Sequence, residues 1–413
     1  MRRPLRALSS LLLACVAASG AVAASAEAAA EVDLTGRLRA FGARSFLPGD
    51  DLVRAADGTP RDLGNADLRL TWAGASAMLD FEVAVEAGMA YDGAGQSYAP
   101  DRRALDLTTQ TRLGEDVGAA ARLDRLWVAT DLGRWRVKLG RQALSLGNGL
   151  VFQPLDLFNP FSPVEIDRDF KAGDDLLVVS RPFDDGSEIG LFAAARRGRG
   201  GGLDEDAGSL ALRWRGFVGE LSVDAMAGRH LGDPLAALSL SGALGSAVWR
   251  MDLVGQRTDG CGRLSAIVNA DWSFSLGGRN AYVFGEYYRS AWGLSSPSLA
   301  GFQADDALRR RVARGELFVI GRDYGALGAT LEWHPLMNQS LLLLHEFAGH
   351  SQLVQTTVDW RPDDASIWQF SLVAPLGGRG EEFGRLVAGA RADASPLTVG
   401  GGERLLVRWS LYF

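Results

Sequence analysis

The last ten residues constrain this chain more than any other stretch. In Arg404-Leu-Leu-Val-Arg-Trp-Ser-Leu-Tyr-Phe413, the set Leu405, Val407, Trp409, Leu411 and Phe413 alternates with Arg404, Arg408, Ser410 and Tyr412. Successive side chains of a β-strand point to opposite faces, so the segment offers one greasy face and one wet face. A long sheet of such strands needs an apolar medium on one side and water on the other.

The same two-residue period returns along the whole chain. Leu34, Gly36, Leu38 and Ala40 alternate with Thr35, Arg37, Arg39 and Phe41, and Leu68, Leu70 and Trp72 alternate with Asp67, Arg69 and Thr71. After a turn at Ala73 to Ser76, the run from Leu79 to Tyr91 sets apolar residues against Asp80, Glu82 and Glu86. The cleanest run is Leu264, Ala266, Val268, Ala270, Trp272, Phe274 and Leu276, with Ser265, Asn269, Asp271 and Ser273 between them. A helical reading of these runs gains no amphipathic stripe. About 18 such segments can be counted, with 16 possible, and even numbers are expected of bacterial single-chain barrels. Ser340 to His350 is read as one of them, and Glu188 to Arg197 as another. Short connections alternate with long ones (Ser45 to Asp62, Asp92 to Gly118, Ala143 to Asp174, Gly293 to Asp323, Pro375 to Glu403), as periplasmic turns and extracellular loops do. Composition agrees: 47% of the residues are hydrophobic, with 51 glycines, and no apolar run beyond the N-terminus approaches the roughly 20 residues of a membrane helix. The expected fold is all-β, a transmembrane antiparallel up-and-down barrel.

The N-terminus reads as an export signal. Arg2, Arg3 and Arg6 precede an apolar stretch from Ala7 to Ala18, and Ala21-Val-Ala23 and Ala24-Ser-Ala26 are small-residue cleavage sites. Leu12-Leu-Ala-Cys15 also resembles a lipobox. Residues 1–26 are assigned to the signal, with cleavage within residues 23–30, and residues 27–413 to a single barrel domain. Removing the three arginines leaves 40 basic residues against the 50 acidic ones, so nucleic acid is not an expected partner. Only Cys261 would remain, which precludes an internal disulfide.

One stretch breaks the alternation. Residues 140–175 read GRQALSLGNGLVFQPLDLFNPFSPVEIDRDFKAGDD and carry neither period. Structureless segments of this length in a compact protein are usually functional or disordered. Leu150, Val151, Phe152, Leu155, Leu157, Phe158 and Phe161 argue against disorder, which is poor in such residues. The reading is an ordered third extracellular loop folded into a lumen too wide for side chains to fill. Asp156, Glu165, Asp167, Arg168, Asp169, Lys171, Asp174 and Asp175 would face a constriction, where rings of charge set ion preference. Gly140, Gly147 and Gly149 mark sharp bends or positive φ, with Arg141, Gln142 and Asn148 beside them, and Asn159-Pro160 starts a turn. The bland alternative is a loop that covers the mouth or pairs with a neighbouring subunit.

Lumen-facing strand positions carry both signs. Arg37, Arg39, Arg69, Arg136, Lys138, Arg213, Arg215, Arg250, Arg404 and Arg408 stand against Asp67, Asp80, Glu82, Glu86, Glu220, Asp224, Asp252 and Asp271. The bases cluster beside the loop and at the barrel closure, which would give a transverse field across the pore. An anion-preferring path along these arginines is one hypothesis, and paired charges that solvate the wall are the other.

The signal, the alternating strands and the terminal Phe413 resemble the Gram-negative outer-membrane porin superfamily, and the last strand resembles the recognition signal that carries such proteins to the barrel-assembly machinery. Gly140-Arg141-Gln142 after a strand, with Gly147-Asn148-Gly149 and Asp156-Leu-Phe-Asn-Pro160 downstream, is similar to a loop region of alginate-export-like barrels. The resemblance implies an integral outer-membrane location among lipids and lipopolysaccharide, no cofactor, and passive passage of small hydrophilic solutes or saccharides, anionic ones included. Two other classes compete: a plugged scaffold or receptor that anchors a partner protein, and a barrel lipid hydrolase. No catalytic residue is expected, because Ser340 with His345 has no accompanying motif, and His345 and His350, five apart on one strand, would point to opposite faces. A Ca²⁺ site within Asp167 to Asp175 is weighed against the interruptions by Arg168 and Lys171, and no metal is assigned.

Overall fold

The computed structural model describes residues 31–57, 61–76, 78–92, 102–164, 169–198, 200–258, 260–390 and 395–413. The segment read as an export signal, together with Glu165, Asp167 and Arg168 of the central loop, lies outside the described residues.

The chain is built of strands. The first quarter gives β1 (Glu31–Phe46), β2 (Arg61–Ala75), β3 (Asp80–Asp92) and a short β4 (Thr108–Arg112). Next come β5 (Val117–Leu132), β6 (Trp135–Gln142), β7 (Asp174–Pro182), β8 (Glu188–Ala194), β9 (Ser209–Val218), β10 (Leu221–His230) and β11 (Asp233–Leu244). The second half holds β12 (Ala247–Thr258), β13 (Cys261–Leu276), β14 (Arg279–Arg289), β15 (Asp323–His334), β16 (Met337–Glu346), β17 (Gln352–Trp360) and β18 (Ser366–Leu376). A small hairpin, β19 (Leu386–Ala390) and β20 (Pro396–Val399), precedes the last strand, β21 (Glu403–Tyr412).

Eighteen of these strands, all but β4, β19 and β20, close into one antiparallel barrel. Closure is made by β1 and β21, which pair from Arg37↔Tyr412 to Phe46↔Glu403. Phe413 completes the seam: its N–H donates to Gly36 O at 3.0 Å and its carbonyl accepts from Gly36 N at 2.6 Å. A Cβ on Gly36 would lie 2.2 Å from the Phe413 ring, so the terminal ring seats only on glycine. A closed barrel leaves no unpaired edge, which is what an apolar medium demands of a backbone.

Alternation places the side chains. Leu34, Leu139, Leu212, Leu264 and Leu327 are more than half exposed on the outer face, while Arg37, Asp67, Arg69, Asp252 and Glu286 are buried on the inner one. Only a lipid belt accounts for leucine outside and ionised groups inside.

The connections differ from the sequence reading in several places. β2 runs on to Ala75, and the turn is closed by Ser76 N donating to Leu79 O at 2.9 Å. β8 stops at Ala194 rather than Arg197, and β16 at Glu346 rather than His350. His350 instead sits in a tight turn at φ 60°, with its ring centroid 6.2 Å from that of His345. The two histidines therefore do not stand on opposite faces of one strand. The long connections also carry structure that no alternation announces: β4, the β19–β20 hairpin, and helices α1 (Leu52–Asp57), α2 (Leu299–Ala304) and α3 (Asp306–Ala313).

Candidate constriction and vestibule

The wall is uneven where the central loop begins. β5 has 16 residues, but β6 beside it has only 8 before the chain turns away. The upper half of β5 would lose its partner; β4 takes that place, from Thr108↔Arg122 to Arg112↔Gly118. Arg141 closes the gap between the end of β6 and the approach to β4. Its guanidinium donates to Leu123 O at 3.1 Å, to Leu105 O at 2.5 Å and to Asp175 at 2.8 Å, and it is fully buried. These two groups were expected at a constriction. They sit in the wall instead, because the carbonyls that a departing strand leaves bare need donors. Gly140 and Gln142 also belong to this junction. Gly140 has φ 123°, and a Cβ there would come within 2.1 Å of Leu126 O, while Gln142 donates to Leu176 O at 3.2 Å.

The described residues of the 143–173 connection, the inner loop (143–164 and 169–173), fold into the barrel. Leu146, Leu155, Leu157 and Phe158 pack on Leu176, Phe192, Met226, Leu235 and Val254, which line the wall from β7 to β12. Val151 and Phe152 pack on the opposite wall, against Ile267, Tyr288, Tyr324 and Leu344. Three hydrophilic anchors fix this course. Asp252 on β12 accepts from Asn148 N at 2.7 Å. Glu286 on β14 accepts from the N–H groups of Leu150, Val151 and Phe152 at 2.7, 3.2 and 2.7 Å. Near the other end, Asp169 accepts from Arg37 at 2.7 Å, from Arg408, and from Tyr412 Oη at 3.3 Å, with the Phe170 ring beneath Arg37 and Arg69. Backbone N–H groups with no strand partner must find acceptors once buried, and wall carboxylates supply them.

Inside the loop, Lys171 pairs with Asp156 and donates to Leu144 O at 2.5 Å. Burial raises the pKa of Asp156 and lowers that of Lys171, with their mutual attraction opposing both shifts. Asn159, at φ 54°, donates to Ala172 O at 3.2 Å. Gly147 has φ 87°; Gly149 does not have positive φ but is crowded, with Phe152 O 1.8 Å from where its Cβ would be. Asp174 pairs with Arg196, Asp175 with Arg141 and Asp169 with Arg37, so the described acids of this stretch are held by arginines rather than arranged around a cation.

The wall arginines are mostly neutralised. Eight of the ten expected lumen bases form ion pairs: Arg37 and Arg39 with Asp67, Arg69 with Asp124, Arg136 with Asp80, Arg213 with Asp224, Arg215 with Glu188, Arg250 with Asp271 and Arg408 with Asp169. Lys138 lies 3.5 Å over the Trp127 ring, and Arg404 has no ion pair among the described residues. A bare arginine path along the strands is thus replaced by paired charge. β5 shows how the pairing is achieved: the register with β3 slips between Ala84 and Val85, and Asp124 is the extra residue. Such a bulge re-aims a side chain. Here it turns Asp124 towards Arg69 and Arg125, at 2.6 and 2.5 Å, and towards Gly173 N at 3.2 Å.

Basic charge is in excess in the long connections, although arginines there are paired too: Arg122 with Glu86 at 3.0 Å, Arg196 with Asp174, Arg197 with Asp106 at 4.0 Å and Arg314 with Glu316 at 3.4 Å. A vestibule of about 800 Å³ at the long-loop end is lined by Leu157, Asn159 and Pro160 of the inner loop and by seven arginines. Arg102 and Arg103 run antiparallel to Arg196 and Arg197: Arg103 stands opposite Arg196, and Arg197 N donates to Arg102 O at 2.7 Å. Arg122 comes from β5, and Arg310 and Arg314 from α3 and its C-cap. Asp174, Asp204, Asp206 and Glu316 are the acids on the same cavity. Like charges placed directly across a ladder are destabilising, and the pairing of Arg196 with Asp174 offsets part of that cost. Of these arginines, Arg102, Arg103, Arg122, Arg310 and Arg314 did not stand among the sequence candidates, and Arg196 and Arg197 were taken as strand. A signal was available: adjacent arginine pairs inside connections, where no alternation calls for them.

Across the lumen from the vestibule, loops close over the inner loop. Val319 and Phe383 join the cluster around Phe152. Glu382 accepts from Ile320 N at 2.7 Å, from Gly321 N at 2.9 Å and from Tyr324 Oη, and burial pushes its pKa up to about 7.

No family model matches the chain, and no curated protein matches its sequence. Solved structures do match its fold, which is that of outer-membrane porin structures. A crystal structure of Acinetobacter baumannii OccAB1 superposes with a TM-score of 0.54 at 9% identity, over 94% of this chain and 98% of that one. Pseudomonas aeruginosa OccK11 (OpdR) gives 0.54 at 13% identity, over 93% and 96%. The Escherichia coli outer-membrane protein Wzi, described as a carbohydrate-binding β-barrel involved in group 1 capsule assembly, gives 0.51 at 9% identity, over 90% and 83%.

Proposed function

We propose that this chain is an integral outer-membrane channel for passive diffusion of small hydrophilic solutes, anionic ones in preference. Residues 1–26 direct its export, and the closing strand, Leu405 to Phe413, is its signal to the barrel-assembly machinery. The carrying observation is the vestibule: seven arginines converge on one cavity of about 800 Å³ beside the inner loop. A rim with an excess of one sign of charge, here seven arginines against Asp174, Asp204, Asp206 and Glu316, concentrates counter-ions at its mouth, and guanidinium groups suit the paired oxygens of a carboxylate. The inner loop is the constriction below. Saccharides with carboxylate groups fit this scheme, in keeping with the likeness of Gly140–Gln142 and Asp156–Pro160 to alginate-export-like barrels.

Planar-bilayer recording under a salt gradient tests the reading. A stable conductance whose reversal potential favours the anion supports it, and a cation-preferring channel overturns it. A second reading, the plugged scaffold, is favoured by the anchoring of the inner loop at Asp252, Glu286 and Asp169. Electrical silence of a folded, inserted barrel selects that one.

A further inference from the structure

Five residues near the end of the inner loop, Asp169 to Gly173, run across the wall from strand to strand. Asp169 accepts from Arg408 and Tyr412 Oη of β21, at 2.5 and 3.3 Å, and from Arg37 of β1 at 2.7 Å. The Phe170 ring centroid lies 5.0 Å from the guanidinium of Arg37 on β1 and 4.4 Å from that of Arg69 on β2. Arg125 of β5 donates to Lys171 O at 2.7 Å, and Gly173 N donates to the bulged Asp124 at 3.2 Å. The first of these contacts straddles the seam where β21 meets β1 and the two ends of the chain are joined.

The strands on either side of that seam are short of acid. Arg37, Arg39 and Arg408 are buried on their inner face, where Arg37 stands opposite Tyr412, Arg39 opposite Ser410 and Arg408 opposite Phe41. Asp67 of β2 serves Arg37 and Arg39 together. Among the described residues, Arg408 pairs with Asp169 alone. The strands by themselves therefore set three guanidinium groups against one carboxylate, and like charges on facing strands destabilise their pairing. The missing negative charge comes from the loop.

We infer that Asp169 to Gly173 form a strap fastened by closure of the barrel: the acid that the β1–β21 seam lacks rides on the inner loop, so docking of the loop and closing of the wall stabilise one another. This goes beyond the channel reading and holds for an open and a plugged barrel alike. Coupling of this kind is reciprocal, because a contact that favours two events together is lost from both when either fails. A loop that merely fills the lumen would be indifferent to the seam. The opposite anchors, Asp252 and Glu286, sit on β12 and β14, away from the closing strands, and serve as the internal contrast.

Hydrogen exchange of the full chain in detergent micelles, read by mass spectrometry, tests the coupling in both directions without requiring conduction. Asp169→Asn should quicken exchange in the seam peptides 34–42 and 405–413 by about tenfold, while the 264–276 strand changes by less than about twofold. Glu286→Gln, which frees the loop at its other anchor, should leave the seam within about twofold of the parent protein. Adding Arg408→Gln to Asp169→Asn removes the surplus cation together with its acid and should bring the seam back to within about threefold; this double variant also serves where the single one does not fold. In the reverse direction, Gly36→Ala leaves the strap untouched but sets a Cβ 2.2 Å from the Phe413 ring, which must leave its seat. The 169–175 peptide should then exchange about fivefold faster. Exchange that rises equally in every strand, a seam unmoved by Asp169→Asn, no recovery in the double variant, or a seam loosened by Gly36→Ala while the 169–175 peptide keeps its rate would each overturn the inference.

Discussion

On the wall, Arg37 and Arg39 share Asp67 and Arg37 also reaches Asp169, while Arg69 meets the bulged Asp124. In the vestibule, Arg103 stands opposite Arg196, and Arg102 has no side-chain partner among the described residues. The strands matched eight of the ten expected lumen bases to an acid, down to a register slip that aims Asp124 inward. The connections gathered cations with fewer acids. Charge of the first kind holds the loop and the wall; in the second kind Arg122, Arg196, Arg197 and Arg314 are paired as well, but arginine remains in excess on the cavity and Arg102 is exposed. Removing members of the two sets should therefore disturb different observables.

The largest effect is expected on the wall. Asp124→Asn strips the carboxylate from Arg69 and Arg125, both buried. Leaving a buried charge without its partner costs about 3–5 kcal/mol. Urea unfolding of the barrel in detergent should register that loss, and a change below about 1 kcal/mol would erase the distinction between the two sets. Glu286→Gln comes next. Three loop N–H groups lose a charged acceptor, each bond to a charged group contributing about 1.5–3 kcal/mol; an amide oxygen recovers part of it. The inner loop should loosen, seen as a higher and noisier single-channel conductance. Deleting Leu150 to Phe161 should widen the channel further, and unchanged conductance in both variants would mean that the loop does not narrow the path.

The far side of the mouth gives a smaller effect, and its sign follows from burial. Glu382 lies beneath the 377–385 loop near Glu346 and Tyr324, its pKa raised from 4.5 to about 7. A carboxyl whose docked pKa exceeds its free value binds its proton more tightly when docked. The docked loop is therefore favoured fully below about pH 4.5 and loses that contribution as pH climbs through 7. Between pH 6 and pH 8 the loss is about 1 kcal/mol. Amide exchange at Ile320 and Gly321 should quicken accordingly, and Glu382→Gln should abolish the trend. Exchange that slows as pH rises, after correction for intrinsic rates, contradicts the assignment.

Much of the barrel was legible because lipid and water impose alternation at every strand residue. Leu264 to Leu276 could hardly be read otherwise. The extra elements escaped for want of it: Thr108–Arg112, with sequence TTQTR, shows no apolar period. That the 143–173 stretch packs against something followed from its leucines and phenylalanines. What it packs on did not, since Glu286 is one more acid on an inward face until the fold brings Leu150 N to it. The role of Arg141 was hidden more deeply, because a strand that ends early is visible only beside its neighbour. The vestibule draws its arginines from four separate segments, and sequence order separates Arg102 from Arg314.

The smallest change in stability, and the sharpest contrast with the wall, is expected at Arg102. Its side chain is exposed, so Arg102→Gln leaves no buried acid unpaired and should shift unfolding by no more than about 0.5 kcal/mol. If vestibule charge serves the solute, the same substitution should move the reversal potential under a salt gradient towards zero, most visibly at low salt, where a Debye length of about 30 Å lets the rim act on ions across the mouth. Pairing it with Arg197→Gln should deepen the shift. Arg213→Gln on the wall should destabilise the barrel more while moving selectivity less, because Asp224 already cancels its charge. Should Arg213 and Arg102 variants change selectivity equally, the two populations of arginine are one, and the vestibule loses its special standing.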